Sequence, residues 1–414
     1  MRVTTALNRM LAIPGATVDG ISFTPSGVVV TLRRRAKKLR CPACGLLTRA
    51  AYDRSTRRWR HLDLGATKLF LEAGIRRLHC QRCRKVITEG VPWARPGARH
   101  TRDFEDVVAW LAQRADKTTI AKLLRSSWEA VAGIVVRVVA DSIDDSRLDE
   151  LYRIGVDEIS WRKGHRYLTV VADHDRDGAV VWADEGKDSD TLSRFFAELG
   201  SERTAALEAI SADMGGAYAK AIEDQREQDR LTASVCVDPF HVVKLANEAI
   251  DKCRRWAWNE LRREGDGSAR WVKNTRWALV KDPGALSTSQ RLVLDELRRS
   301  RSVLYRAWQL KEALRDVYRL REFGAAHQFL DRWLAWACRS RIPSFVKLSK
   351  TIRKHREGIL AAVELGLSNS KLEGLNSKIR LINHRGYGHH SAAALISMIY
   401  LCCGGITVEL PTER

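Results

Sequence analysis

The chain has no long apolar run. Its longest late one, from Ala392 to Ile406, covers about 15 residues and contains Ser397, short of the roughly 20 residues that span a bilayer. It reads as a buried C-terminal helix, and no membrane partner is expected. The first 15 residues lack a clean apolar core, so no secretory leader is expected either. Cysteines are too few and too unevenly placed for a disulfide framework. There are nine, an odd number, and Cys236, Cys253, Cys338, Cys402 and Cys403 lie scattered in apolar contexts. That is the usage of a reducing, cytoplasmic compartment, with buried thiols and a metal site. Acidic residues are scarce at the front: residues 1–100 hold 5 Asp+Glu against 21 Lys+Arg.

The rest of the charge is as uneven. The 414 residues carry 71 Lys+Arg and 50 Asp+Glu, a net of +21. Residues 1–100 contribute +16, 101–150 contribute −3, 151–250 contribute −7, and 251–414 contribute +15. Basic flanks around an acidic centre suit a polyanion partner and a cation site between them. Charge alone points to nucleic acid without saying which.

At the front, Cys41-Pro42-Ala43-Cys44 and Cys80-Gln81-Arg82-Cys83 form two CxxC knuckles 35 residues apart. Each puts two thiolates on one side of a tight turn, and together they suit tetrahedral Zn²⁺. A Cys₃His set using His79 or His61 is the alternative. Pro25-Ser26-Gly27 between two apolar runs reads as a hairpin, and 68–78 reads as a strand entering the second knuckle. Arg33, Arg34, Arg35, Lys37, Lys38, Arg57 and Arg58 crowd this module and are candidate phosphate contacts.

Thr101 can cap a helix from Asp103 to about Arg114. A short helix over 118–124 follows, and Ser126 with Glu129 reads as a capping box for a third helix to about Ala140. A short helix, a tight turn and a longer helix have the shape of a helix-turn-helix. Arg137 is the one clear basic candidate on the third helix.

In the acidic middle, runs at 154–159, 166–173 and 179–183 predict an antiparallel meander, followed by a helix over 188–199 and a strand ending at Asp213. Then come a helix over 218–224, a strand over 234–238 and a helix from about Phe240. This β-β-β-α-β-α-β-α order is RNase H-like. In that fold the first and fourth strands pair, so Asp157 and Asp213, ending them, converge. Glu373 opens a late helix, with Asn376 and Arg380 three and seven residues on, on one face. Three carboxylates in such settings suit a two-metal phosphoryl-transfer site. Glu158, Asp238 and Glu364 compete with the three, and Asp238 and His241 are possible supporting residues.

The segments G-V-D-E-I-S-W-R-K-G-H-R-Y-L-T-V-V-A-D, I-S-A-D-M-G-G-A-Y, V-D-P-F-H-V-V-K and S-N-S-K-L-E-G-L-N-S-K-I-R resemble the catalytic segments of the ISL-three family of bacterial insertion-sequence transposases. The front end resembles that family's zinc module and helix-turn-helix, so the likeness covers nearly the whole chain. It implies that Asp157, Asp213 and Glu373 form an Asp-Asp-Glu triad binding Mg²⁺ or Mn²⁺. It also implies an all-α insertion before the last acid, and cleavage and strand transfer at inverted-repeat ends. Arg385 and Tyr387 fall in the family's Arg/Tyr-Gly stretch.

The expected architecture is therefore an α/β RNase H-like core with an all-α insertion, preceded by a β-rich zinc module and a helix-turn-helix. The expected boundaries are 1–98 for the zinc module, 99–150 for the helix-turn-helix, and 151–246 for the first part of the core. The insertion covers 247–365, and 366–414 holds the C-terminal core helices. Five or six helices are expected in the insertion, with its tryptophans mostly in the core and one or two able to stack on a splayed base at the element end. Arg385 joins Asn376 and Arg380 as a candidate DNA contact. The expected partners are double-stranded DNA and a second copy of the chain, in the bacterial nucleoid. The rival reading is a zinc and helix-turn-helix regulator built on an inactive nuclease core.

Overall fold

The structure, a computed structural model, describes every residue except Met1, Gly215, Arg301, Arg321 and Tyr387, and for Phe323 the backbone alone. The chain forms two compact units. One comprises residues 1–147 and 381–414, the other 148–380.

The first unit opens with helix α1 (Val3–Leu11), strands β1 (Ala16–Thr24), β2 (Gly27–Arg34), β3 (Leu39–Arg40) and β4 (Leu47–Thr48), then the long strands β5 (Asp53–Leu64) and β6 (Thr67–Cys80) and the short β7 (Lys85–Thr88). Sheet order is β1-β2-β6-β5, with β7 added to β6. Val28, Val30, Trp59, Leu69, Leu71 and Ile75 form its core. The expected hairpin joins β1 to β2, and its glycine is obligatory. Gly27 has φ +134°, and a Cβ there would meet the Lys68 carbonyl at 2.2 Å.

Three helices follow: α2 (Arg102–Ala112), α3 (Lys117–Leu123) and α4 (Trp128–Ser142). Thr101 caps α2 as expected, accepting from the Phe104 amide. The cap of α4 is Ser127, which accepts from Ala130, and Ser126 is not the cap. Val131, Ile134, Val135 and Val138 form the buried face of α4.

The second unit is built on strands β8 (Arg153–Arg162), β9 (Arg166–Asp173) and β10 (Ala179–Glu185), then helices α5 (Ser189–Leu199) and α6 (Ser201–Ala205), strand β11 (Ala209–Ala212), helix α7 (Gly216–Glu227) and strand β12 (Ser234–Val237). Sheet order is β10-β9-β8-β11-β12. The first three strands are antiparallel, whereas β8, β11 and β12 run parallel. Parallel pairing needs crossover connections, and α5 with α6, and α7, supply them. Trp182, Phe195, Phe196 and Ile210 pack between sheet and helices.

Beyond β12 the unit is helical. Helices α8 (Pro239–Arg263), α9 (Ala269–Asn274), α10 (Arg276–Val280), α11 (Thr288–Arg299), α12 (Val303–Asp316), α13 (Phe323–Arg339), α14 (Pro343–Lys354) and α15 (Arg356–Glu364) enclose their own apolar core. That is eight helices among the described residues, more than the five or six expected, because Gly, Pro and Ser breaks split the middle into short pieces. The tryptophans also differ from expectation. Trp333 is buried, its indole N–H donating to the Leu310 carbonyl at 2.8 Å. Trp256 is 59% exposed and Trp277 55%, and Trp271 and Trp336 are exposed too. An apolar ring at helical spacing does not fix which way the helix turns.

Helix α16 (Ser370–Arg385) begins in the second unit and ends in the first, and α17 (Ala392–Cys403) packs on α4 in the first unit. Residues 381–414 are grouped with 1–147 in the first compact unit. No described helix is long and apolar enough to cross a membrane.

Candidate functional site

Strands β8 and β11 pair in parallel with Ala209 opposite Arg153, Ile210 opposite Ile154 and Ser211 opposite Gly155. The offset is 56 residues, and the same offset separates Asp157 from Asp213. Extending that register sets the two acids level with each other, but only Asp213 follows a strand end; Asp157, expected to end its strand, lies within β8, which continues to Arg162. Asp238 follows the third parallel strand, β12, at that same end of the sheet.

Asp157 is half-buried. Its Oδ1 accepts from the Glu158 amide at 2.7 Å, and its Oδ2 accepts from Asn376 Nδ2 at 2.6 Å. Burial pushes its carboxyl above the ordinary range, and the charge of Asp213 adds to this. Glu158 is raised likewise, by burial and then by Asp213 and Asp157. Glu373 sits in the first turn of α16 and is raised by burial, by Asp238 and by Asp157. Burial is the chief cause at all three, the neighbouring acids add to it, and a bound cation would favour the charged forms.

Asp238 is 2% exposed and caps α8. It accepts from the Phe240 amide at 3.3 Å, the Asn369 amide at 3.1 Å and His241 Nδ1 at 3.0 Å. It therefore ties α8 to the start of α16. That hydrogen bond raises the His241 pKa, helped by the charges of Asp238, Asp213 and Asp157. Three further residues complete the frame: Asn369, read from the sequence as a possible cap of the Glu373 helix, with Ser211 and His174. Ser211 bonds Asn369 Oδ1, and His174 Nε2 lies 2.6 Å from Ser211 Oγ. Of the three, only His174 carried no signal in the sequence. Glu364 is exposed and lines a cleft with Ser234, at the opposite end of β12 from Asp238.

The approach of α16 to β8 depends on Gly155. A Cβ there would lie 2.7 Å from both Leu372 methyls. Leu372, which precedes Glu373, is 1% exposed and fills the space that Gly155 leaves.

In the first unit the four cysteines meet. Their Sγ atoms all lie within 4.8 Å of one another, with Cys41–Cys83 at 3.9 Å and Cys44–Cys80 at 3.5 Å. Tetrahedral Zn²⁺ with Zn–S bonds of ~2.3 Å requires sulfur separations of about 3.8 Å. Burial pushes Cys41 up, but the amides of Cys44 and Ala43 outweigh it and bring the thiol to about 7. His61 is not a ligand, since its Nδ1 lies 2.8 Å from Thr101 Oγ1, and exposed His79 is outside the cluster. Among the described residues this is the one group of ligand atoms drawn so close. The acids of the second unit, mutually repelling, stand further apart.

The candidate DNA contacts divide. Arg33, Arg35, Lys37, Lys38, Arg58 and Arg380 are exposed, though Arg58 pairs with Glu72 at 2.8 Å. Arg57 donates to the Ala98 carbonyl at 3.2 Å. Three arginines are spent internally. Arg34 pairs with buried Glu89. Arg137 pairs at 2.6 Å with Glu105, which is 0% exposed. Arg385 donates to the carbonyls of Ala112 at 2.9 Å and Gln113 at 3.1 Å, closing the C-terminus of α2. These three are structural. Tyr387 lies outside the described residues.

Comparison with known proteins matches three successive segments of the chain. Residues 154–399 match a family model described as "Transposase", of the DDE ISL3 type. Residues 89–139 match "Helix-turn-helix domain of transposase family ISL3", and 37–83 match "zinc-finger of transposase IS204/IS1001/IS1096/IS1165". The chain belongs to the ISL3 transposase family. It is 42% identical over 411 residues to "Transposase for insertion sequence element IS1557" of Mycobacterium tuberculosis, in each of two strains, covering 93% of this chain and 90% of that protein. It is 28% identical over 361 residues to "Transposase for insertion sequence element IS1001" of Bordetella parapertussis, covering 87% of each. The transposase thus combines a zinc ribbon, a helix-turn-helix and a DDE domain, in that order.

Proposed function

We propose that this transposase binds the inverted-repeat ends of its own insertion sequence and cleaves and joins DNA there through Asp157, Asp213 and Glu373. The sheet order of the second unit, three antiparallel strands continued by two parallel ones, supports an RNase H-like core. The observation that carries the assignment is the shared 56-residue offset of strand pairing and acid spacing. Glu373 joins these two through the close packing of Leu372 on Gly155 and the Asn376–Asp157 bond.

Mg²⁺ or Mn²⁺ held by these carboxylates would supply Lewis acidity to the attacking and leaving oxygens. The chain's own part is positioning. The Glu158 amide and Asn376 fix both oxygens of Asp157, leaving its remaining lone pairs for a cation. Asp238 and Asn369 hold the start of α16 in register with the strand ends. His241, its Nδ1 on Asp238 and its pKa raised by that bond and the nearby acids, suits contact with the phosphate entering the site. Asp238 and His241 are thus supporting groups. Exposed Arg380, along α16 from Glu373, suits a flanking phosphate.

The front modules supply DNA affinity. Zn²⁺ on Cys41, Cys44, Cys80 and Cys83 holds the knuckles, and Arg33, Arg35, Lys37 and Lys38 carry phosphate contact. Joining two ends to one target requires two copies of the site, so the active species on DNA is a dimer. The bacterial nucleoid is where such a protein works.

Purified protein with Mg²⁺ and a duplex bearing its own terminal repeat should nick and join DNA. Asp157→Asn, Asp213→Asn and Glu373→Gln should each bind that duplex and lose cleavage by 10³-fold or more, on the order seen when a group central to catalysis is removed. Full cleavage by Glu373→Gln would remove the third acid from the site. Binding without cleavage by the unaltered protein would favour the regulator reading.

A further inference from the structure

The sheet face turned away from α16 carries a cation with no acid partner. Asp157 bonds Asn376 and Gly155 leaves room for Leu372, so these positions of β8 face α16. Alternation turns Val156 and Glu158 the opposite way, where Val156 joins the core that holds Phe195 and Tyr218. Glu158 stands opposite Thr169 in the strand pairing and Ser160 opposite Tyr167, so Thr169 and Tyr167 share that second face. Lys187 Nζ lies 3.9 Å from the centroid of the Tyr167 ring, a cation held on an aromatic face. It forms no ion pair among the described residues. Burial is the chief influence on the Glu158 carboxyl and raises it. The charge of Lys187 comes next and lowers it, so the ammonium stands within electrostatic reach of the acids.

The backbone is fixed on both sides of Lys187. Gly186 donates to the Tyr167 carbonyl at 3.0 Å, and its own carbonyl accepts from Thr169 Oγ1 at 2.9 Å. Thr169 Oγ1 also lies 3.0 Å from the Tyr218 hydroxyl on α7. Glycine is required at 186, where φ is +133° and a Cβ would collide with Thr191 Oγ1. Asp188, on the other side, accepts from the Thr191 amide at 2.9 Å and from its hydroxyl at 2.6 Å. A lysine tethered this tightly keeps its ammonium near one place. Joining a DNA end to a target brings two strands to one set of acids. The 3′-hydroxyl of the cut end gives up its proton and bonds to the target phosphorus, the target's P–O3′ bond breaks, and the departing 3′ oxygen takes up a proton. Arg380, along α16, suits phosphate on the side of the third acid. Two polyanionic strands need cations on separate sides, and Lys187 supplies the second.

We propose that Lys187, braced on Tyr167, binds a phosphate of the target strand next to the acids while the cut end lies on the α16 side. The assignment rests on the end-cleavage reading above. It is tested with the full chain and Mg²⁺ in two assays: nicking of an uncut terminal repeat, and joining of a pre-cut repeat end to a plasmid target. Lys187→Ala should lower the ratio of joining to nicking about 10- to 100-fold, the yield of one contact between a lysine and a phosphate. Lys187→Arg, which keeps the charge, should recover most of the ratio. Tyr167→Leu, which removes the ring beneath the ammonium, should lower it several-fold. Without Mg²⁺, capture of a labelled target duplex by protein already carrying a pre-cut end should weaken in Lys187→Ala and return in Lys187→Arg. An unchanged ratio in Lys187→Ala overturns the assignment, as does a loss of nicking as deep as the loss of joining, which would place Lys187 on the end itself. Undiminished target capture in Lys187→Ala overturns it too. Absence of both nicking and joining in the unaltered protein would instead remove the end-cleavage reading, and the assignment with it.

Discussion

Replacing Gly155 with alanine tests how the third acid reaches the other two. The new methyl would lie 2.7 Å from Leu372 Cδ1 and Cδ2 and 2.9 Å from His174 Nε2. Neither neighbour yields easily. Leu372 is 1% exposed, and His174 is held at 2.6 Å by Ser211. Overpacking of this kind costs about 1–3 kcal/mol, which a unit with this much buried sheet and helix can absorb while staying folded. The strain is relieved most simply by α16 backing away from β8, carrying Glu373 and Asn376 with it. A displacement of about 1 Å at a catalytic group costs on the order of 100-fold in rate. Gly155→Ala should therefore lose cleavage about 100-fold, bind its terminal repeat normally, and lower Tm by only a few degrees. Adding Leu372→Ala should restore part of the rate by reopening the space. The assay is single-turnover cleavage of a labelled repeat end, with Tm and repeat binding measured alongside. Full cleavage by Gly155→Ala, or no recovery in the double variant despite normal folding, would refute this account of how Glu373 is positioned.

Two other predictions concern the first unit. The knuckles have a small core of their own, chiefly Leu39, Cys41, Leu78 and Cys80. Chelation or Cys44→Ser should release one zinc per chain and abolish hydrogen-exchange protection over 39–48 and 81–87. The core around Trp59 and Leu71 should stay protected, and loss of protection there would show that zinc supports the whole sheet. His100 and His389 are both held down at about 4 by burial. Both stay neutral in the fold but take up a proton near pH 6.5 when unfolded, so stability is full above about 6.5 and falls as pH drops toward 4. Each contributes on the order of 2–3 kcal/mol at most to that loss. NMR titration should find two histidines unprotonated at pH 5.5, and titration of both near 6.5 would refute the burial argument.

The legible parts of the molecule were those with local causes. Alternating apolar runs marked every strand of the second unit, and Thr101 marked the start of α2. The candidate acids were singled out because an acid at the end of an apolar run is a local pattern, and the spacing of Asp157 and Asp213 equals the offset of a strand pairing that only the fold reveals. Ser127 was missed for Ser126 because either serine satisfies the pattern, and only backbone dihedrals choose between them. The exposed tryptophans were missed because a ring every few residues looks like a core stripe until the helix's orientation is known. Asn369 and Ser211 bond across 158 residues, beyond the reach of any local pattern.

The arginines teach a different lesson about charge. Residues 1–100 contain five acids, and all five are answered by arginine: Asp19 by Arg33, Asp53 by Arg77, Asp63 by Arg60 and Arg125, Glu72 by Arg58, and Glu89 by Arg34 and Arg76. Each internal pair removes one charge of each sign, so the net of +16 is unaffected by how the pairs form. A sequence count therefore reports the polyanion affinity of the segment faithfully, yet says nothing about which residues deliver it. The surplus rests on cations without an acid partner among the described residues. Arg35, Lys37, Lys38 and Arg40 are four of them, all exposed and all beside the first zinc knuckle. Arg34, in the middle of that run, faces inward because β2 alternates, and its neighbours Arg33 and Arg35 face out. The strand's two-residue period thus turns Arg34 inward to brace the fold and Arg33 outward beside Asp19, while Arg35, just past the end of β2, is exposed without an acid partner among the described residues.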